Sequence, residues 1–308
     1  MTINWLDRLA PPITDIVPTT TGQRLAVAVW PGDGPTFVFA PGLTSNNRNI
    51  AAVAAMLDGS MTVVALDLRG RGDSTKPGVG GYGMTAHADD VLAVMDALGI
   101  DHAILGGHSM GAYVATTAAV LAPDRADALV LLDGGVLMTV PNQPDPDTLF
   151  EILFKPITDR LTQTFTGVDD YRDHLAASPY FELTPIAEEY LRHDLGVTQG
   201  GYQPKCLRVA AVEDWRDLLT NPDTSSRLGQ VQCPVLAVAA EEGLGHGQPA
   251  VLGEPQQQIL RASLPDAEIV HVPGTTHHSI TLSEHGARAV TDAIAGFVAK
   301  LDLAAAAR

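Results

Sequence analysis

Short apolar, strand-like runs alternate along this chain with helical patterns. That alternation predicts a mostly parallel sheet with helices on both faces. Arg24 to Trp30 reads as an early antiparallel strand, ended by the turn Pro31-Gly32-Asp33-Gly34-Pro35. Thr36 to Ala40, Met61 to Leu66, Ala103 to Leu105, Ala128 to Leu132, Pro234 to Ala239 and Ala267 to Val272 read as further strands. Thr85 to Leu98 predicts a helix closed by Gly99, and Glu284 to Leu301 predicts a final one, with a tail at Ala304 to Ala307 that frays. Between Val140 and Arg227 strand signals vanish. Helical, proline-punctuated stretches replace them, as in Asp147 to Phe154, Asp169 to Ala177 and Pro185 to Asp194. This is too long for a loop and predicts a helical cap over the carboxyl edge of the sheet, where open parallel sheets bind ligands. The expected organisation is a core domain of residues 1–139 and 228–308 with a helical cap insertion at 140–227.

The 308 residues carry a net charge of −17 with a pI near 4.8. That charge argues against nucleic acid and anionic membrane surfaces as partners. Cys206 and Cys233 form no C-x-x-C and read as small buried hydrophobes. Met1 to Arg8 lacks a basic region followed by an apolar stretch, and no apolar run approaches eighteen residues. A cytoplasmic protein is the expectation. No H-e-x-x-H, no phosphate-binding glycine loop and no dinucleotide fingerprint occurs, so neither metal nor cofactor is expected.

One motif carries chemistry. Gly107-His108-Ser109-Met110-Gly111 reads G-x-S-x-G between a predicted strand and a predicted helix. A sharp strand-to-helix turn at a serine strains its backbone and exposes its hydroxyl, and a Cβ at either glycine would clash with the neighbouring strand and helix. The helix start behind it offers backbone N–H groups to a developing negative charge, Met110 first. A serine nucleophile needs a base. His277 follows the last strand and emerges at the same edge as Ser109, with His278 as its immediate rival. His108 is expected to shape the pocket, and His87, His102, His193, His246 and His271 to be structural or superficial.

Over roughly residues 20 to 300 the chain resembles the α/β-hydrolase fold superfamily, in its serine-nucleophile, esterase- and lipase-like branch. The matching pieces are Pro41-Gly42, the run Asp67-Leu68-Arg69-Gly70-Arg71-Gly72-Asp73-Ser74, the Ser109 elbow, and Gly274-x-x-His277. The resemblance implies an eight-stranded, mostly parallel sheet flanked by helices, with an inserted cap. It implies that Leu43 N–H joins Met110 N–H in an oxyanion hole, and that the Asp67–Arg69 turn braces the loops around the site. Many members carry the triad acid after the seventh strand in a pattern like G-x-x-D. Here that run is Ala240-Glu241-Glu242-Gly243, with glycine where the aspartate would stand. Other members carry it after the sixth strand, which here gives Asp133. Asp133 is preferred because it lies at the correct edge and keeps the order nucleophile, acid, base; Glu242 and Glu241 stay open.

The expected catalytic set is Ser109, Asp133 and His277. The expected activity is hydrolysis of a carboxylic ester or lactone of a small apolar substrate through an acyl-enzyme. An acyltransferase with the same triad, or a ligand receptor on this scaffold, are the alternatives. A serine at position 109 argues against the epoxide hydrolase and haloalkane dehalogenase branches, which use aspartate there. Thr44 is a candidate substrate contact. One or two of Phe150, Phe154, Phe165, Tyr171, Tyr180 and Phe181 should line an apolar pocket. Substrate identity and oligomeric state are not written in one sequence.

Overall fold

The computed structural model describes residues 11–137, 145–178, 181–182 and 184–301. Met1 to Arg8, the boundary at 139 to 140, Tyr180 and the tail from Ala304 to Ala307 fall outside those residues. Eight strands form one sheet: β1 (Ile13–Pro18), β2 (Arg24–Trp30), β3 (Thr36–Ala40), β4 (Thr62–Leu66), β5 (Ala103–His108), β6 (Ala126–Leu132), β9 (Val235–Ala240) and β10 (Glu268–Val272). A separate hairpin pairs β7 (Leu195–Thr198) with β8 (Gly201–Pro204). The sheet order is β1-β2-β4-β3-β5-β6-β9-β10. β2 pairs antiparallel with β1 and β4, and the six strands from β4 to β10 are parallel.

β3, β4, β5, β6 and β9 are almost wholly apolar because helices cover both of their faces. Val38, Val64, Leu105 and Leu129 point to one face, beneath the helices Met84–Leu98 and Met110–Leu121. Phe37, Phe39, Ile104 and Val130 point to the other, beneath Ala51–Leu57 and Glu284–Lys300. Ends are specified locally. Gly99 closes its helix at φ 67°, a left-handed position that glycine fills without strain. Ser283 Oγ accepts the Gly286 N–H to start the last helix.

The order also creates the crevice. From β3 the chain goes to β4 on one side, then returns as β5 on the other. The loops after β3 and β5 therefore diverge and leave a gap at the carboxyl edge between them. Pro41-Gly42-Leu43 leaves β3 and Ser109 leaves β5 at this gap.

The segment between β6 and β9 departs from the helical reading in one respect. It contains helices, including Pro146–Leu153, Val168–Ala176, Ala187–Asp194 and Arg208–Thr220, but also the β7–β8 hairpin. Each hairpin strand has four residues, too few for alternation to register, and its signal rests on Gly200 and Gly201 at the turn, both at positive φ. Phe165, Tyr171, Leu175, Tyr190 and Leu191 form a small core within the segment. Leu149, Phe150, Trp215 and Leu218 join the same core as the sheet residues Leu105 and Leu129, so the segment is fastened to the sheet by shared packing. Among the described residues no helix is long and apolar enough to cross a membrane.

Candidate active site

Ser109 joins β5 to its helix at φ 57° and ψ −121°. A non-glycine residue there costs about 1–3 kcal/mol and persists only when its surroundings dictate it. Here they do. Ser109 N–H donates to Leu132 O at 3.0 Å, and Ala112 N–H donates to Ser109 O at 3.1 Å. The glycines are steric requirements: a Cβ on Gly111 would lie 1.9 Å from Ala40 O, and one on Gly107 would lie 2.2 Å from the Gly111 carbonyl carbon. A Cβ on Gly134 would lie 2.3 Å from Ser109 O. The motif is thus read by three adjoining segments at once.

Asp133 leaves β6 with φ 43° and is fully buried. Its N–H donates to Val238 O at 2.8 Å, and its Oδ1 accepts the Ala240 N–H at 3.2 Å. Its Oδ2 is 2.6 Å from His277 Nδ1. A carboxylate on Nδ1 fixes the ring with its proton there and leaves the Nε2 lone pair as the base. The His277 backbone is pinned at both ends: its N–H donates to Gly243 O at 2.9 Å, and its carbonyl accepts from His108 Nε2 at 2.7 Å. The other acid candidates are occupied. Glu242 bonds His246 Nδ1 at 2.7 Å and the Gly247 N–H at 3.0 Å, and Glu241 accepts the Gly274 N–H at 2.6 Å. His278 stands beside His277 with ring centroids 5.3 Å apart. Burial, together with His277 and Arg160, pulls its pKa down to about 3.

The loop after β3 crosses directly over the elbow. A Cβ on Gly42 would sit 3.2 Å from Ser109 Cβ. Ser45 N–H donates to Gly42 O at 3.1 Å, so in this trans peptide the Leu43 N–H points the opposite way. Leu43 O accepts from Arg71 Nε at 3.1 Å and Nη2 at 2.8 Å. Arg71 is wholly buried and pairs with Asp214 at 2.6 Å. Asp214 lies on the helix Arg208–Thr220 and also bonds His87 Nε2 at 2.9 Å and Gly83 N–H at 2.7 Å. Burial alone would raise the Asp214 pKa, but His87 and Arg71 hold it down at about 2. The turn from Asp67 braces the same loop: Asp67 accepts N–H groups from Asn47 at 2.8 Å and Asp73 at 3.0 Å, and bonds His193 Nε2 at 2.9 Å. Asp67, Asp73 and His193 have ligand-like spacing, but the Asp67 oxygens are already engaged in this brace. Arg69 is held by Asp90 at 2.7 Å.

Ser109, His277, Leu43 and Met110 border one cavity of about 880 Å³. Its far wall is Leu149, Phe154, Trp215 and Leu218, closed on one side by the loop from Leu244 to Gly253 and the start of the helix Glu254–Ser263. Of the aromatic candidates, Phe154 lines it, while Phe150, Phe165 and Tyr171 are core residues. Thr44 Oγ1 accepts from Arg160 Nη2 at 3.2 Å and borders only a smaller neighbouring chamber. Sequence reasoning missed Trp215, Asp214 and the loop from Leu244 to Gly253. None has a motif, and the helix Arg208–Thr220 that carries Asp214 and Trp215 was not among the predicted ones.

A family model described as alpha/beta hydrolase fold matches residues 35–280. The chain is 29% identical over 249 residues to a 2-(acetamidomethylene)succinate hydrolase of Mesorhizobium japonicum, covering 80% of this chain and 83% of that protein. It is 29% identical over 261 residues to an N-formylmaleamate deformylase of Pseudomonas putida, covering 84% and 88%. The crystal structure of E-2-(acetamidomethylene)succinate hydrolase superposes with a TM-score of 0.75 at 27% identity, covering 92% of this chain and 99% of that one. On the elbow, the crevice between β3 and β5 and these matches, the chain belongs to the alpha/beta hydrolase fold family.

Proposed function

We propose that the protein is a serine hydrolase that cleaves a carboxylic ester or lactone of a small apolar substrate through an acyl-enzyme. The observation that carries this reading is the 2.6 Å bond from Asp133 to His277 Nδ1, on the same cavity as a strained, glycine-locked Ser109. His277 Nε2 takes the Ser109 proton as Oγ attacks the carbonyl carbon. The oxyanion accepts hydrogen bonds from Leu43 and Met110 N–H. Collapse expels the alcohol, which receives the proton from His277. Water then attacks the acyl-enzyme, with His277 again taking a proton, and the acid leaves. The cavity wall is chiefly apolar, with the carboxylate Glu254 and no Arg or Lys among its described residues, which disfavours an anionic substrate.

A second reading keeps every residue and changes the leaving atom from oxygen to nitrogen. It is favoured by the relatives' names, an acetamido-compound hydrolase and an N-formyl deformylase. Steady-state hydrolysis of p-nitrophenyl esters beside the matching anilides distinguishes them. Ser109→Ala should lower kcat by at least about 10⁴-fold with an unchanged circular dichroism spectrum. Undiminished turnover in that variant rules the proposal out.

A further inference from the structure

Two buried polar side chains stand in the chiefly apolar wall of the main cavity. Tyr113 and Gln256 both border it, and each is 8% exposed. Neither the Tyr113 hydroxyl nor the Gln256 amide has a hydrogen-bond partner among the described residues. Ser45 Oγ and Asn49 Oδ1 are also unpaired, but those atoms are sealed from any surface. The Tyr113 and Gln256 groups keep accessible surface, and their residues border the cavity. The other polar groups of this wall are accounted for. Ser109 and His277 belong to the chemistry, Trp215 Nε1–H donates to Pro146 O at 3.1 Å, and Gln248 and Glu254 are exposed.

Burial pushes the Tyr113 phenol well above its usual pKa, so it keeps its proton and stays a neutral donor. Tyr113 sits one turn beyond Ser109 on the helix Met110–Leu121. Long helical side chains lean towards the helix N-terminus, which here is the nucleophile's end. Gln256 belongs to the first turn of the helix Glu254–Ser263, on the covering side. In an open cavity solvent pairs such groups, and a substrate that fills the cavity displaces that solvent. A purely hydrocarbon body then strands a phenol O–H and an amide against apolar atoms, which folded proteins seldom tolerate. A body with an oxygen in reach pairs them instead.

We propose that Tyr113 and Gln256 recognise an uncharged oxygen of the substrate, an ether or carbonyl oxygen on an otherwise apolar body, away from the bond that is cut. Both groups donate to it, the phenol through O–H and the amide through N–H. The inference rests on the hydrolase reading for turnover but not for binding, and it holds whichever half of the ester lies against this wall.

Two pairs of esters with chains of equal length test it, one pair oxygenated in the acid and one in the alcohol. The first is p-nitrophenyl 3,6-dioxaheptanoate beside p-nitrophenyl heptanoate. The second is 3,6-dioxaheptyl acetate beside heptyl acetate. Intrinsic ester reactivity cancels between wild type and variant. In at least one pair, Tyr113→Phe should reduce the ratio of ether to hydrocarbon ester in kcat/KM by about threefold or more. The ether ester loses rate and the hydrocarbon ester gains it. Gln256→Leu should move the ratio in the same direction, and movement in either variant sustains the recognition for that residue. A purely structural role slows both esters alike and leaves the ratio in place. A ratio moved less than about threefold by both variants in both pairs overturns the proposal. If no ester turns over, the hydrolase reading is what fails, and melting temperatures with the same esters decide. A larger rise with the ether ester, lost in Tyr113→Phe, sustains the proposal; rises that the variant leaves unchanged, or none, overturn it.

Discussion

On the sheet side of the main cavity the chemistry stands on backbone geometry. Ser109 and Asp133 are both held at positive φ, and the glycines near them, Gly107, Gly111 and Gly134, have no room for a side chain. On the covering side, Leu149, Phe154, Trp215 and Leu218 contribute apolar area, and nothing in their backbone is unusual. The geometry that joins Ser109, Asp133 and His277 depends on a few residues that cannot be exchanged. Pocket shape depends on summed volume, which many side chains could supply. Between the two runs the buried chain Leu43–Arg71–Asp214, which ties the loop after β3 to the helix that also carries Trp215.

The largest effect is expected at Asp133. Asp133→Asn keeps shape and suits a positive φ, but disfavours the Nδ1–H tautomer of His277. It should lower kcat by about 10⁴-fold, while Glu242→Gln changes kcat less than about twofold in the same ester assay. The reverse pattern would move the acid to the loop after β9.

The next largest effect tests the tie between the regions. Asp214→Asn leaves the Arg71 charge buried without a carboxylate and should cost about 3–5 kcal/mol in urea unfolding. A cost below about 1 kcal/mol would mean that this pair does not join them.

Acid then probes the buried imidazoles on the sheet side. Both His108 and His278 are depressed below the usual 6.5, His278 to about 3. The folded chain therefore binds fewer protons than the unfolded chain below pH 6.5. Their contribution is fully present above that value and is lost as the pH falls towards 3, by up to roughly 1.4 kcal/mol per pH unit per group. Asp214, held at about 2, adds a further loss below about 3.8. Urea midpoints between pH 7.5 and 4.5 should fall accordingly; a flat profile contradicts the burial described.

The smallest effect belongs to the covering wall. Phe154→Leu should change the preference between short and medium acyl chains by about tenfold, with less change in kcat on the better substrate. A loss of kcat on all chains alike would make Phe154 part of the chemistry.

The same division explains what could be read from the sequence. The elbow was legible because sterics demand glycine at 107 and 111, whatever the substrate. Asp133 could be ranked above its rivals by strand order, but only the fold brings its Oδ2 to His277 and engages Glu241 and Glu242 elsewhere. Strand β1 escaped the reading because its outer positions, such as Ile13, Thr14 and Asp15, are exposed at the sheet edge. The β7–β8 hairpin was too short to show a period. Asp214 and Trp215 were hidden because burial and partnership across more than a hundred residues leave no local pattern.

Intact-protein mass spectrometry after incubation with an alkyl fluorophosphonate tests whether Ser109 is an activated nucleophile, since labelling requires an activated serine and no knowledge of the substrate. One adduct per chain is expected, mapping to Ser109, lost in Ser109→Ala and strongly slowed in Asp133→Asn. An unmodified protein, or an adduct on any other residue, would contradict that role.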